Sequence, residues 1–423
     1  MSAIDQLLDA IPIPRMVRVK QVFERPAIDN VELDLLAKLK GKNSKLLITP
    51  GQSVAVAVGS RGISALPEMV KTLIQFIKDQ GGIPFIVPAM GSHGGATAEG
   101  QKEMLRGLGV TEEYVGAPIR ATMETLEIGV AENGLPVFID KYAYEADAIV
   151  IINRIKPHIA FRGEYESGLM KMITIGLGKQ KGADICHELG FGRMAENIPA
   201  IARVILEKTN LVFGVAVLEN AYHELCQIEV LKNGEIEDGE PTLLKEAKRL
   251  SPKLYFDSLD VLVIDEIGKN ISGTGFDNNV VGRYHTPYAS GGPTISKIAA
   301  LDITDVSHGN GNGLGILDFT TRRAFNKFSF EHSYPNALTS TVPLSVKIPM
   351  VLKNDKQAIQ AAIKTCNILD KTKVRIVRVK NTLCLGEIEV SESLIEEVKQ
   401  NPNLEILSSP FDLALCEQGS LFE

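Results

Sequence analysis

Tryptophan is absent from all 423 residues, and phenylalanine and tyrosine together supply only 6% of the chain. There is no RNA-type aromatic motif and no basic tail. Lysine and arginine number 45 against 52 aspartates and glutamates, a formal charge of −7, so nucleic acid is excluded as an expected partner. Cysteine is scarce as well. Cys186, Cys226, Cys366, Cys384 and Cys416 are odd in number, widely separated and without a C-x-x-C pair. That pattern argues against a disulfide framework or a cysteine zinc site, and reduced thiols are expected. No apolar run approaches the roughly 20 residues that span a bilayer; the longest, 146–152, is interrupted by Asp147. Residues 1–12 carry Asp5 and Asp9 and lack the basic and apolar regions of a secretory signal, so no membrane partner and a cytoplasmic location are expected.

What remains is an ordinary folded composition, 44% hydrophobic and 23% charged, long enough for two cores. Residues 52–58 alternate small and β-branched side chains. They precede a helical pattern over 66–80 (Leu66, Met69, Val70, Leu73, Ile74, Ile77), with Pro67 suited to its first turn. Gly81-Gly82 closes the helix and 84–87 resumes as strand, which makes one βαβ unit with parallel strands. Further elements follow the same logic: a helix at 97–105, a hairpin turning at Asn133-Gly134, a strand at 148–152, a helix at 194–208 and a strand at 212–218. Between 232 and 252 the chain turns polar, with Asn233-Gly234, Asp238-Gly239 and a short charged helix, after which a fresh strand starts at 259. A helix at 355–366, a strand at 374–379 and a helix at 392–400 are expected beyond it. The expected fold is therefore α/β, with two domains of mostly parallel sheets and the active site at their junction. Residues 1–252 form the larger domain with the cofactor site and 253–423 the smaller, whose closing stretch packs back on the first.

Ligands of open parallel sheets bind at the carboxyl ends of strands, where loops and helix N-termini offer backbone N–H groups. Five polar clusters sit in such positions: Gly59-Ser60-Arg61-Gly62, Gly91-Ser92-His93-Gly94-Gly95, Asn153 through His158, Glu219-Asn220-Ala221-Tyr222-His223, and Glu266 through Asn270. Each has a plainer reading. Glycine turns after strands are often only turns, and Arg61 could cap a helix or meet a surface carboxylate. His93 between glycines and His158 after Pro157 are harder to dismiss, since flanking glycine lets a backbone approach a ligand. Nothing near His223, His285, His308 or His332 demands a ligand or a base. Lys171 lies among Leu169, Met170, Met172 and Ile173, where partial desolvation would sharpen it as a nucleophile; snorkelling from an apolar face is the alternative. Sixteen residues further on, Cys186-His187-Glu188 offers a histidine able to carry a metal. Gly176-Leu177-Gly178-Lys179-Gln180 fails as a phosphate loop, lacking the following Ser or Thr and the earlier Gly, and the glycines of 273–275 and 309–315 give only weak support to a dinucleotide site.

In the order of these motifs, Ser60-Arg61, Gly91-Ser92-His93, Pro157-His158 leading to Lys171, and His187, the chain resembles the nickel-dependent lactate racemase family as a divergent homologue. The sixteen-residue spacing from Lys171 to His187 is the most specific match. The resemblance implies a nickel-pincer nucleotide, pyridinium-3,5-bisthiocarboxylic acid mononucleotide nickel, joined covalently through Lys171 and made by cofactor-synthesis proteins. It makes His187 the nickel ligand, His93 and His158 the acid/base pair, and Ser60 and Arg61 cofactor-binding or substrate-carboxylate groups. Gly268-Lys269-Asn270-Ile271 is similar to a family loop that reaches the site, which adds Lys269. The implied activity is that of an isomerase, a racemase or epimerase of a small 2-hydroxy acid by reversible hydride transfer. His158 stands thirteen residues before Lys171, farther than in lactate racemases, and any family contact made by tryptophan is missing. A substrate other than lactate is therefore expected, and Arg162, Glu164 and Glu166 suggest a larger or more hydroxylated acid. An NAD-dependent dehydrogenase of a hydroxy acid and a non-catalytic nucleotide- or metal-binding protein stay open as alternatives.

Overall fold

The computed structural model of the chain describes residues 2–42 and 48–422. It divides into two compact units, one of Arg25–Ser251 and one that joins Met1–Glu24 to Pro252–Glu423.

In the first unit, five strands lie in the spatial order Ile83–Pro88, Ser53–Val58, Ala148–Arg154, Leu211–Glu219 and Leu225–Lys232. The first four are mutually parallel and the last pairs antiparallel through a hairpin. Val54, Val56 and Val58 register with Ala148, Val150 and Ile152, and all six side chains are buried. A strand buried on both faces reads as a continuous apolar run, which is why these segments show little alternation. The helix Leu66–Asp79 crosses between the first two strands and buries Leu66, Met69, Val70, Leu73, Ile74 and Ile77, the set its spacing indicates. Burial of each is worth about 1.5–3 kcal/mol relative to exposure. The helix Ala98–Gly107 is capped by Thr97 Oγ1, which accepts from Gly100 N. Thr125–Val130 and Pro136–Asp140 form a separate two-stranded ribbon, with Gly134 at φ +82 in its turn.

The polar stretch 232–252 departs from expectation: it is one continuous helix, Asn233–Leu250. Gly239 and Pro241 do not break it, because both are accommodated by neighbours. A Cβ at Gly239 would meet Leu231 at 3.1 Å, so the missing side chain allows close packing. Pro241 cannot donate to Glu237 O, and the Tyr165 hydroxyl donates to that carbonyl instead at 3.1 Å.

The second unit carries an eight-stranded mixed sheet in the order Met350–Leu352, Phe319–Thr321, Thr294–Ile303, Ser258–Ile267, Ile376–Val379, Glu387–Ser391, Met16–Gln21 and Leu404–Ile406. The first five strands are parallel and the last three antiparallel. Val261, Val263, Ala299 and Leu301 pack with Ala358, Ile359, Ala362 and Ile363 of the helix Asp355–Thr365. The assignment of residues 1–24 to the first domain is corrected here: Met16–Gln21 hydrogen-bonds between Glu387–Ser391 and Leu404–Ile406. The closing stretch likewise stays with this unit, where Phe411 bridges to Met16 and Leu421 N donates to Asp355 Oδ2. No sequence-local signal encodes such pairings over several hundred residues. Among the described residues no helix is long and apolar enough to cross a membrane.

Candidate functional site

The first unit's sheet reverses its winding between Ser53–Val58 and Ala148–Arg154, since the chain passes outward to Ile83–Pro88 and then returns to the other side. A crevice outside the carboxyl ends of the strands forms at such a reversal. Gly59-Ser60-Arg61 leaves one of these ends, residues 155–158 leave the other, and the His93 turn leaves the adjacent strand. Glycine sets the spacing. A Cβ on Gly59 would lie 3.1 Å from Met172 Cε, and one on Gly91, at φ +59, 3.2 Å from Ile175 Cγ2. Both turns therefore press on the segment that directly follows Lys171. Ser60 Oγ and His93 Nδ1 share a hydrogen bond.

Lys171 ends a single helical turn, Leu169–Lys171, that widens into a π-helical turn over Met172–Gly176. Such widened turns are frequent at functional sites. The turn is held from below, where Asn153 Nδ2 donates to Gly168 O (2.7 Å) and Met170 N donates to the buried Glu240 carboxyl (2.8 Å). Lys171 Nζ lies 2.8 Å from His158 Nε2. His158 Nδ1 accepts from Ala160 N at 3.1 Å, which puts its proton on Nε2. That proton can be donated only to an uncharged amine. Burial first, then the Arg61 and Lys156 charges, bring the amine's pKa down to about 8 and so enlarge the uncharged fraction that can accept it. About one lysine in ten is then neutral at pH 7, against about one in three thousand at the ordinary value.

His187 Nδ1–H donates to Ala183 O at 2.7 Å, leaving the Nε2 lone pair as a ligand. Burial and the Lys171 charge lower its pKa and favour the neutral ring a metal requires. The rings of His158 and His187 flank Phe191, with centroids 6.0 and 5.7 Å from it. Arg61 sits in the same field, its pKa lowered by desolvation and by Arg154, which pairs with Glu219.

Residues 20–197 match the lactate racemase N-terminal domain family. Over that segment the chain is lactate racemase-like. The structure resembles the crystal structure of a protein from Thermotoga maritima with a TM-score of 0.53 at 13% identity, covering 86% of this chain and 99% of that one. It also aligns with the lactate racemase apoprotein from Thermoanaerobacterium thermosaccharolyticum at a TM-score of 0.44 and 13% identity, covering 83% and 86%. No curated protein matches the chain. The family match supports an enzyme of the racemase kind.

Within this lactate racemase-like domain, Ser60, Arg61, His93, His158, Lys171 and His187 are all carried by one unit. Lys269 belongs to the other unit, where its ammonium donates to Gly273 O (2.9 Å) and Asn336 Oδ1 (2.8 Å). Arg162 and Glu166, expected as substrate contacts, have structural partners. Glu166 is buried, accepts from His158 N (2.7 Å) and pairs with Lys248 (2.6 Å). Arg162 donates to His158 O at 2.6 Å. Both fix the loop that presents His158. Sequence reasoning passed over Glu240 and Gln101, whose roles depend on packing between distant segments. Among the described residues no group of three or more His, Cys, Asp or Glu side chains could hold a metal. A metal beside His187 would therefore need most of its donors from a bound cofactor.

Proposed function

We propose that the chain racemises or epimerises a 2-hydroxy acid, using a nickel-pincer nucleotide joined through Lys171 and ligated by His187. The observation that carries this reading is the desolvated Lys171 amine, bonded to His158 and followed directly by the segment on which the Gly59 and Gly91 turns press. The residues suit the group. An amine with a pKa of about 8 is a competent nucleophile toward an activated thioacid, and a lone imidazole completes a metal whose other donors come with the cofactor. When bound, the cofactor supplies a reversible hydride acceptor.

The chain's own residues do the rest. Arg61 holds a carboxylate or phosphate by paired hydrogen bonds. His93 and His158 take and return the C2 hydroxyl proton, one for each configuration, because opposite enantiomers present that hydroxyl to different sides. Were Lys171 joined to the cofactor as a thioamide, with the group that activates the thioacid leaving, its nitrogen would keep one N–H and no basic lone pair. It would then donate to His158 Nε2 instead of accepting from it, favouring the tautomer whose bare Nε2 can take a proton.

The test is co-expression with cofactor-synthesis proteins, followed by intact mass, nickel content and chiral analysis of a panel of 2-hydroxy acids. The expected result is an adduct lost in Lys171→Ala, nickel near one per chain, and loss of enantiomeric excess. A nickel-free protein that instead changes nicotinamide absorbance would overturn the proposal in favour of a dehydrogenase.

A further inference from the structure

Lys179, which follows Gly176-Leu177-Gly178, has no place in the chemistry above. It is nevertheless fully buried and adopts a left-handed backbone at φ +54, a conformation costly for any residue but glycine. Its ammonium donates to Pro88 O (2.5 Å) and Gln101 Oε1 (3.0 Å) and is ion-paired with Asp140 Oδ2 at 3.0 Å. Asp140 is buried too, and its own backbone N–H donates to Leu177 O. Because Gln101 Oε1 is taken by the ammonium, the amide must turn its NH2 the other way. That NH2 donates to Gly91 O (2.9 Å) and His93 O (3.2 Å), the carbonyls on either side of Ser92. Gly94 brings the same turn against the helix bearing Gln101, since a Cβ there would lie 2.6 Å from Gly100 C.

We propose that Lys179 and Gln101 are positioning residues for His93: Lys179, paired with Asp140, orients the Gln101 amide, which clamps the His93 turn so that the ring stays against Ser60. This rests on the reading above that His93 moves a proton. A glycine-flanked turn has several accessible conformations, and two hydrogen bonds from one buried amide select a single one.

Two variants test it. Gln101→Glu preserves shape and the Lys179 contact but removes both donors. The double variant Lys179→Met with Asp140→Asn removes the charges together, so that no lone buried charge endangers folding. In each, kcat is expected to fall about 10- to 100-fold with KM within about twofold and the Lys171 adduct intact. The His93 ring signals in a ¹⁵N-histidine NMR spectrum, assigned with His93→Gln, are expected to move. Ring signals that coincide with the parent's, or an unchanged kcat despite moved signals, overturn the proposal. If the parent turns over no hydroxy acid but the signals still move in both variants, the clamp stands and the assigned activity falls.

Discussion

Replacing Lys171 by methionine should make the fold more stable at neutral pH, although it removes a residue placed at the centre of the site. Burial, Arg61 and Lys156 bring the amine from 10.5 down to about 8. Folding therefore disfavours its charged form by about 3 kcal/mol at pH 7. Methionine has similar length and no charge, so this penalty disappears. The bond to His158 disappears with it, at a cost of about 1 kcal/mol. A net gain of about 2 kcal/mol remains, which for a unit of this size raises Tm by about 4–8 °C.

The pH dependence separates this cause from general repacking. Between about pH 8 and 10.5 the folded parent holds fewer protons on Lys171 than the unfolded chain does, so the parent gains stability as pH rises through that window. The variant does not. Its advantage should shrink from about 2 kcal/mol at pH 7 to under about 0.5 kcal/mol at pH 9.5. Thermal unfolding of both proteins by circular dichroism at the two pH values, at equal ionic strength, measures it. Destabilisation at both, or an equal gain at both, would refute the claim that burial and neighbouring charge depress the pKa of the Lys171 amine.

Further outcomes follow from the same geometry. His187→Ala should lose nickel from the loaded protein while His93→Ala and His158→Ala keep it and lose turnover; identical behaviour of all three, read by metal analysis and chiral assay, would break the division of roles. Glu240, buried under the Lys171 turn, is pushed up to about 7. The folded chain thus holds more protons there than the unfolded one between pH 4.5 and 7, and stability falls as pH rises through that range. Glu240→Gln should accordingly change little at pH 4.5 and add up to about 3 kcal/mol at pH 8, as read by urea unfolding. Gly94→Ala puts a Cβ 2.6 Å from Gly100 C at φ +67, so it should lower stability by about 1–3 kcal/mol and impair turnover more than Gly134→Ala, whose Cβ meets nothing within 4 Å.

Local pattern carried the fold only where one element is enough to define itself. The helix Leu66–Asp79 and the strand Ser53–Val58 were legible because apolar spacing and two-sided burial leave a direct trace in the chain. The helix Asn233–Leu250 was not, since its glycines and proline read as turn signals until Leu231 and Tyr165 are seen to accommodate them. Met16–Gln21 has no local feature that points to strands near residues 390 and 405. The site divides the same way. His93, His158 and Arg61 could be singled out because they follow strands, whereas Gln101, Glu240 and Lys179 act through contacts that only the folded chain creates.

The charges around Lys171 give the site its direction. Arg61 and Lys156 lower the Lys171 pKa, and Arg154 lowers that of Arg61, so these cations repel one another. Glu219 pairs with Arg154, and its second oxygen accepts from Ser64 N, which limits how much of that field it can offset. A cluster of cations of this kind carries an electrostatic cost that a carboxylate or phosphate relieves. An anion bound before Lys171 has reacted would raise the amine's pKa and blunt it as a nucleophile. If Lys171 is acylated as proposed, its charge is gone while Arg61 and Lys156 remain. The field that activates the amine would then serve, with one charge fewer, to attract an anionic substrate.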